Sequence, residues 1–190
     1  MKKIAILASG NGSNAQRIIE YFRGHSSISI AIILVNNPEA FVITRARNLS
    51  VPYLLFNRQE MNQGLVLGAL LNFNIDFIVL AGFLWLLPGP ILQAFPDKIL
   101  NIHPALLPKY GGKGMYGMHV HEAVIAAKDK ESGISIHLVN EKYDEGKILF
   151  QAKCPVRQED TPETLARKVH QLEYEHYPVI IEKFLTSHPF

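Results

Sequence analysis

Cysteine is nearly absent: the 190 residues contain one, Cys154. A single thiol excludes an intrachain disulfide and a cysteine-built metal site, and it favours a reducing compartment. Excess charge is also nearly absent. Lys and Arg number 19 against 17 Asp and Glu, a formal net charge of +2 with no basic run, too little to make a nucleic-acid or membrane surface by itself. No apolar stretch is long enough to cross a bilayer. The run 4–8 behind Lys2 and Lys3 is too short for a secretion signal, and a polar glycine-rich stretch follows at once. The string HVHE at 119–122 does not complete H-E-x-x-H, so no zinc site and no other metal is expected. Internal repeats, low-complexity tracts and linkers are missing too.

What remains is the composition of a globular chain, 48% hydrophobic and 19% charged, at a length that suits one domain with a full core. Residues 3–8 form a continuous apolar run, as in a strand buried on both faces. Helical composition at 14–22, a β-rich run at 28–35, a short helix at 41–48, a strand at 51–56, one helix over 59–71 and a strand at 76–80 follow. Strand and helix alternating at this spacing predicts βαβ units and a parallel sheet. The second half differs. A strand at 98–102 runs into prolines and the glycine-rich stretch 111–118. A helix follows at 119–128. Strands at 133–139 and 147–153, with a short link, read as an antiparallel hairpin. The last helix opens at Asp160-Thr161-Pro162-Glu163, with Asp160 as cap and Glu163 answering as in a capping box. Leu165, Val169, Leu172, Ile180 and Phe184 give its apolar stripe, and Pro178 should kink or interrupt it. The fold class is therefore α/β: a Rossmann-like, mostly parallel twisted sheet flanked by helices, with an antiparallel hairpin in the C-terminal half.

Two places carry chemistry. The first is Gly10-Asn11-Gly12-Ser13-Asn14, between the first strand and the first helix. Glycines let the backbone turn tightly and approach a ligand. The helix start offers free N–H groups and a partial positive charge for a phosphate. A tight turn with no ligand is the alternative. A nicotinamide reading is weakened because the second strand ends in Val35-Asn36-Asn37, without the acid that would hold a ribose. A Walker-type phosphate loop is absent.

The second place is Asn101-Ile102-His103-Pro104 at the end of a strand. Residues two apart share a face of a strand. Ligands of open α/β sheets gather beyond the strands' carboxyl ends. An Asn amide can donate to an oxyanion, and a His can stabilise that oxyanion or shuttle a proton, which suits acyl transfer. Asp144, in the loop of the later hairpin, is the carboxylate that would raise the imidazole pKa and orient the ring. Spacing leaves open whether Asp144 reaches His103, and whether Asn101 and His103 merely satisfy local backbone groups.

GNGSN at 10–14, AGFLWLLP at 81–88, NIHPALLPKY at 101–110, GISIHLV at 133–139 and YDEGKI at 143–148 occur in that order. Together they closely resemble the phosphoribosylglycinamide formyltransferase family, folate-dependent enzymes of purine synthesis, over essentially the whole chain. The resemblance implies transfer of the formyl group of 10-formyltetrahydrofolate, a co-substrate, to the glycyl amine of 5'-phosphoribosylglycinamide. It implies Asn101, His103 and Asp144 as catalytic residues, with Asn101 and a protonated His103 stabilising a tetrahedral oxyanion and Asp144 assisting by keeping His103 charged. Gly10, Asn11, Gly12, Ser13 and Asn14 would hold the ribotide phosphate, and Glu173 its ribose and glycyl end. Phe83, Leu84, Trp85, Leu86 and Leu87, with Asn140, Glu141, Tyr143 and Asp144, would wall the folate pocket. His137 would lie near the active site in a structural role.

Trp85 stands where many members carry arginine, and the stretch 111–118 looks expanded. One domain, 1–190, would have a phosphate- and ribotide-binding half of about 1–100 and a catalytic and folate-binding half of about 101–190. The implied partners are small molecules only, with no nucleic acid or membrane, in a cytoplasmic monomer or homodimer. A sugar-nucleotide amine formyltransferase and a formyltetrahydrofolate hydrolase are the near alternatives. A nucleotide-binding oxidoreductase or a non-catalytic binding module is the distant one. Without the resemblance, Glu173 reads as a solvated helix charge and Lys109 and Arg58 as open questions. Cys154 reads as an inert packed thiol, and His176 as a core residue.

Overall fold

The computed structural model of the chain describes residues 1–187. Residues up to 100 form one compact unit, Met1–Leu100, and a second begins at Asn101. In the first unit, β1 (Lys2–Ala8) pairs in parallel with β2 (Ile28–Val35) and with β4 (Phe77–Leu80), and β2 pairs in parallel with the short β3 (Tyr53–Leu55). Ile4, Ile6 and Leu7 of β1 are fully buried, which explains its unbroken apolar run: both faces of this central strand are covered. Each such side chain contributes roughly 1.5–3 kcal/mol on burial.

Helix α1 (Ser13–Tyr21) buries Ala15, Ile18 and Ile19, the i, i+3, i+4 face of one helix. Helix α2 (Val42–Asn48) buries Val42, Ile43 and Ala46. The single helix expected over 59–71 is two, α3 (Arg58–Asn62) and α4 (Leu65–Asn72). The break falls at Gly64, whose φ of 92° belongs to no right-handed helix. Helix α5 (Gly89–Ala94), with Pro90 in its first turn, was not anticipated.

In the second unit, β6 (Glu131–Leu138) and β7 (Ile148–Pro155) are antiparallel, as the hairpin reading expected. Gly133 sits where a Cβ would lie 1.9 Å from the carbonyl oxygen of Ala152, so the strands can approach there only without a side chain. Helix α6 (Met118–Ala126) packs on α7 (Pro162–Ser187), which also covers β6 and β7. Helix α7 runs through Pro178 without interruption, because Pro178 and its neighbour Tyr177 are packed into the core and tertiary burial holds the helix. Its buried face also departs from the expected stripe. Leu165, Val169 and Phe184 are buried, but the middle of the face is Glu173, Tyr177 and Ile181; Leu172 and Ile180 are half-covered.

Strand β5 (Ile99–His103) opens at the boundary between the units. The strand order is β3-β2-β1-β4-β5-β6-β7, a seven-stranded mixed sheet flanked by helices. No helix among the described residues is long and apolar enough to cross a membrane.

Candidate active site

In the first unit, β1 ends at Ala8 and the chain turns through residues 9–12 into α1. Gly12 has φ 75°, and a Cβ there would lie 2.4 Å from Val42 Cγ2 and 3.0 Å from Val42 Cα. The turn therefore needs glycine for conformation and for space. No side chain caps α1, and an uncapped helix start of this kind is suited to an anion. The loop is fixed from several sides. Val42 N–H donates to Gly10 O at 3.2 Å, Ser9 N–H to Gly82 O at 3.0 Å, and Leu84 N–H to Ser9 Oγ at 3.1 Å.

Arg45, which sequence reasoning passed over, donates to Asn11 O and Asn11 Oδ1 at 2.8 and 2.7 Å and also bonds Gln16. Its sequence signal was only a basic residue on a short helix. Beyond β4, Phe83 and Leu87 are buried, Trp85 and Leu86 half-buried and Leu84 exposed. Phe56, Phe83 and Trp85 form an aromatic cluster, and the Arg58 guanidinium lies 4.1 Å from the Trp85 ring centroid, a cation–π contact.

In the second unit, Asn101 and His103 lie on one face of β5, and the 140–146 loop brings Asp144 to both. Asp144 Oδ2 is 3.5 Å from His103 Nδ1, and Asp144 Oδ1 is 3.5 Å from Asn101 Nδ2. Asp144 itself stands at φ 57°. His103 Nε2 is 2.7 Å from Tyr110 O. A carbonyl only accepts, so Nε2 carries the hydrogen and a neutral His103 presents bare Nδ1 toward Asp144.

His137 lies beside Asn101 and Asp144, near the site as the resemblance implied. Its Nδ1–H donates to Leu138 O at 2.8 Å, which leaves Nε2 to accept from Asn101 Nδ2 at 3.1 Å, 3.6 Å from Asp144 Oδ1. Gly112 N–H donates to Asp144 Oδ2 at 2.9 Å, which gives the glycine-rich stretch a definite role. Neither contact had a signal in spacing. The remaining residues expected to wall the folate pocket, Asn140, Glu141 and Tyr143, sit on the same loop, the first two exposed and Tyr143 half-buried. Asn140 Oδ1 accepts from Lys142 N–H at 2.9 Å.

Burial lowers the His103 pKa and outweighs Asp144, which raises it as expected, and the Tyr110 carbonyl; the ring stays below its ordinary value, and a charged resting ring is not what results. Asp144 moves the other way from its own burial: His137, His103 and the Gly112 N–H together outweigh desolvation and hold the carboxyl below its usual range.

Glu173 is also not a solvated charge. It is 4% exposed, and His170 Nδ1 donates to its Oε2 at 2.8 Å. That bond raises the His170 pKa against the effect of burial. Beside it, His121 is 1% exposed and its Nδ1 has no hydrogen-bond partner. His176, expected in the core, is half-buried against Phe150. Cys154 is buried, and burial raises its pKa. Among the described residues no group of three or more His, Cys, Asp or Glu is placed to hold a metal ion.

An α/β protein with an amide, an imidazole and a carboxylate gathered at the exit of one strand is equipped to work on a carbonyl carbon. The formyl transferase family profile matches residues 2–181. Phosphoribosylglycinamide formyltransferase of Haemophilus influenzae is 38% identical over 97% of this chain and 87% of its own. The chloroplastic enzyme of that name from Arabidopsis thaliana is 41% identical over 95% of this chain, which spans only 64% of that relative's length. The crystal structure of glycinamide ribonucleotide transformylase 1 from Symbiobacterium toebii superposes with a TM-score of 0.90 at 32% identity, over 98% of this chain and 89% of that one. The chain belongs to the formyl transferase family.

Proposed function

We propose that this chain transfers the formyl group of 10-formyltetrahydrofolate to the glycyl amine of 5'-phosphoribosylglycinamide, releasing tetrahydrofolate, as a step of purine synthesis. The observation that carries the proposal is the Asp144 carboxylate, 3.5 Å from both His103 and Asn101, in a chain of this family. The loop 10–14 and Glu173 bind the ribotide. Residues 83–87 and the 140–144 loop bind the folate, with Trp85 and its stacked Arg58 in place of the arginine common at that position. The protein works in the cytoplasm, on small molecules alone, as a monomer or homodimer.

The uncharged amine attacks the formyl carbon, a C–N bond forms, and the carbonyl electron pair moves to oxygen. Asn101 Nδ2 turns one hydrogen from its resting partners to that oxyanion. The amine proton passes to His103 Nδ1, which is bare in the free chain because burial keeps the ring neutral. Asp144 beside it stabilises the charge that His103 then gains. Collapse of the adduct breaks the bond to the folate nitrogen, which takes the proton. Holding both substrates together supplies much of the acceleration.

Asn101→Ala should lower kcat on the order of 10²–10³-fold, the effect of losing one oxyanion donor. Asp144→Asn should impair turnover while leaving ribotide binding nearly intact. Folate absorbance followed during turnover checks both, and wild-type rates in the two purified variants would remove the proposal.

A further inference from the structure

The proposed reaction uses His103 Nδ1 and leaves unexplained what fixes the other side of the ring. That side meets the backbone of Tyr110, a non-glycine residue at φ 56°, in a region that side chains avoid. Two contacts hold the residue there. The Tyr110 hydroxyl donates to Asp129 Oδ2 at 2.9 Å, and the neighbouring Lys109 Nζ reaches both oxygens of the same carboxylate at 3.1 and 3.2 Å. Asp129 follows the end of α6, and its N–H donates back to Val124 O at 3.4 Å. The carboxylate is thus anchored to a helix. Two consecutive side chains of the 101–110 motif are tied to it, and the Tyr110 carbonyl oxygen consequently lies 2.7 Å from His103 Nε2.

We propose that Tyr110 and Asp129 are positioning residues for formyl transfer: the phenol–carboxylate bond aims the Tyr110 carbonyl at His103 Nε2, and so fixes the tautomer that leaves Nδ1 bare beside Asp144. The inference rests on the role given to His103 above. It extends it by assigning work to residues that touch neither substrate nor reacting atoms. Ionisation fits the arrangement. The Tyr110 and Lys109 hydrogen bonds hold Asp129 below the usual carboxylate range, and burial with the Asp129 bond raises the Tyr110 pKa, so acceptor stays charged and donor stays protonated.

The test uses full-length protein labelled with ¹⁵N in its eight histidines, without substrates, with His103 assigned by its loss in His103→Gln. Proton–nitrogen correlation reads which ring nitrogen carries the hydrogen. Wild type should show His103 protonated at Nε2. Tyr110→Phe should show a mixture of tautomers, and kcat should fall on the order of 10–10²-fold with both KM values within about twofold. Asp129→Asn, which keeps an acceptor oxygen, should retain most of the wild-type signal and rate, while Asp129→Ala should match Tyr110→Phe. A wild-type ring protonated at Nδ1, or a Tyr110→Phe protein with unchanged tautomer and kcat, would overturn the inference. The nitrogen signal does not depend on turnover, so a failure of the formyl-transfer reading would show in the wild-type assay and leave the tautomer result to decide this one.

Discussion

His121 carries the clearest acid sensitivity of any single residue described here. Burial, the nearby His170 and His103 push its pKa down to about 4, and Glu173 pulls the other way only in part. The ordinary value is 6.5. Above pH 6.5 the ring is neutral in both folded and unfolded chains, and titration contributes nothing. As pH falls from 6.5 toward 4, the unfolded chain binds a proton that the folded chain refuses, so stability is lost with falling pH. At roughly 1.4 kcal/mol per pH unit, that interval amounts to about 3 kcal/mol. His121→Leu removes the titration at similar volume and deletes a buried nitrogen with no partner. Urea unfolding at pH 7 and pH 4.5 should show the variant losing about 2 kcal/mol less than wild type over that range; parallel losses would refute the assignment. The sequence held only part of this. Asn101 and His103 were legible as a pair because a strand has a period of two. The contacts of His137, Gly112 and Tyr110 and the burial of Glu173 were not, because strand pairing, loop closure and helix packing set them and leave no local pattern; only the family resemblance put His137 near the site. The sequence expectation that Asp144 would raise the His103 pKa weighed a charge partner without the burial that outweighs it.

Among the elements, α7 shows how a start signal can be read correctly and its members misassigned. With Pro162 as the first helical residue, the cap is Thr161 and the answering position is Thr164. Thr164 N–H donates to Thr161 Oγ1 at 3.3 Å and Thr161 N–H to Thr164 Oγ1 at 2.9 Å, a capping box with threonine in the place of glutamate. Asp160 lies one residue earlier. It accepts from Arg157 N–H, Thr164 Oγ1 and Lys168, the last at 2.5 Å, and these contacts lower its pKa to about 2. Thr161→Ala should cost about 1 kcal/mol of unfolding free energy in urea, the usual loss for a cap, with kcat at the wild-type level. An unchanged midpoint would show that Asp160 alone secures the helix start. Periodicity foresaw β1, β2 and the β6–β7 hairpin, where apolar alternation or continuity is strong. It missed the α3–α4 break, because the left-handed turn at Gly64 is a backbone property inside an otherwise helical composition.

At the scale of the whole molecule, the proposed anion loop belongs to the first compact unit and the proposed reacting groups to the second. Binding and chemistry should therefore separate under mutation. Gly12→Ala places a methyl group 2.4 Å from Val42 Cγ2 at a φ of 75°, so the turn must shift and the first N–H groups of α1 lose their aim. A misdirected phosphate contact costing on the order of 1.4 kcal/mol is a tenfold loss of affinity. The KM for the ribotide should rise about tenfold, with little change in kcat or in the KM for the folate. Asp144→Asn should do the reverse, because its carboxylate acts on the ring that takes the proton and touches no phosphate ligand. The strain at Gly12 should also lower stability by about 1–2 kcal/mol, so both variants are compared at a temperature where each is fully folded. Steady-state kinetics with each substrate varied in turn gives the two KM values and kcat. If Gly12→Ala lowers kcat and leaves the ribotide KM alone, the loop is not the phosphate grip. Its glycines would then serve only the packing of α1 against α2.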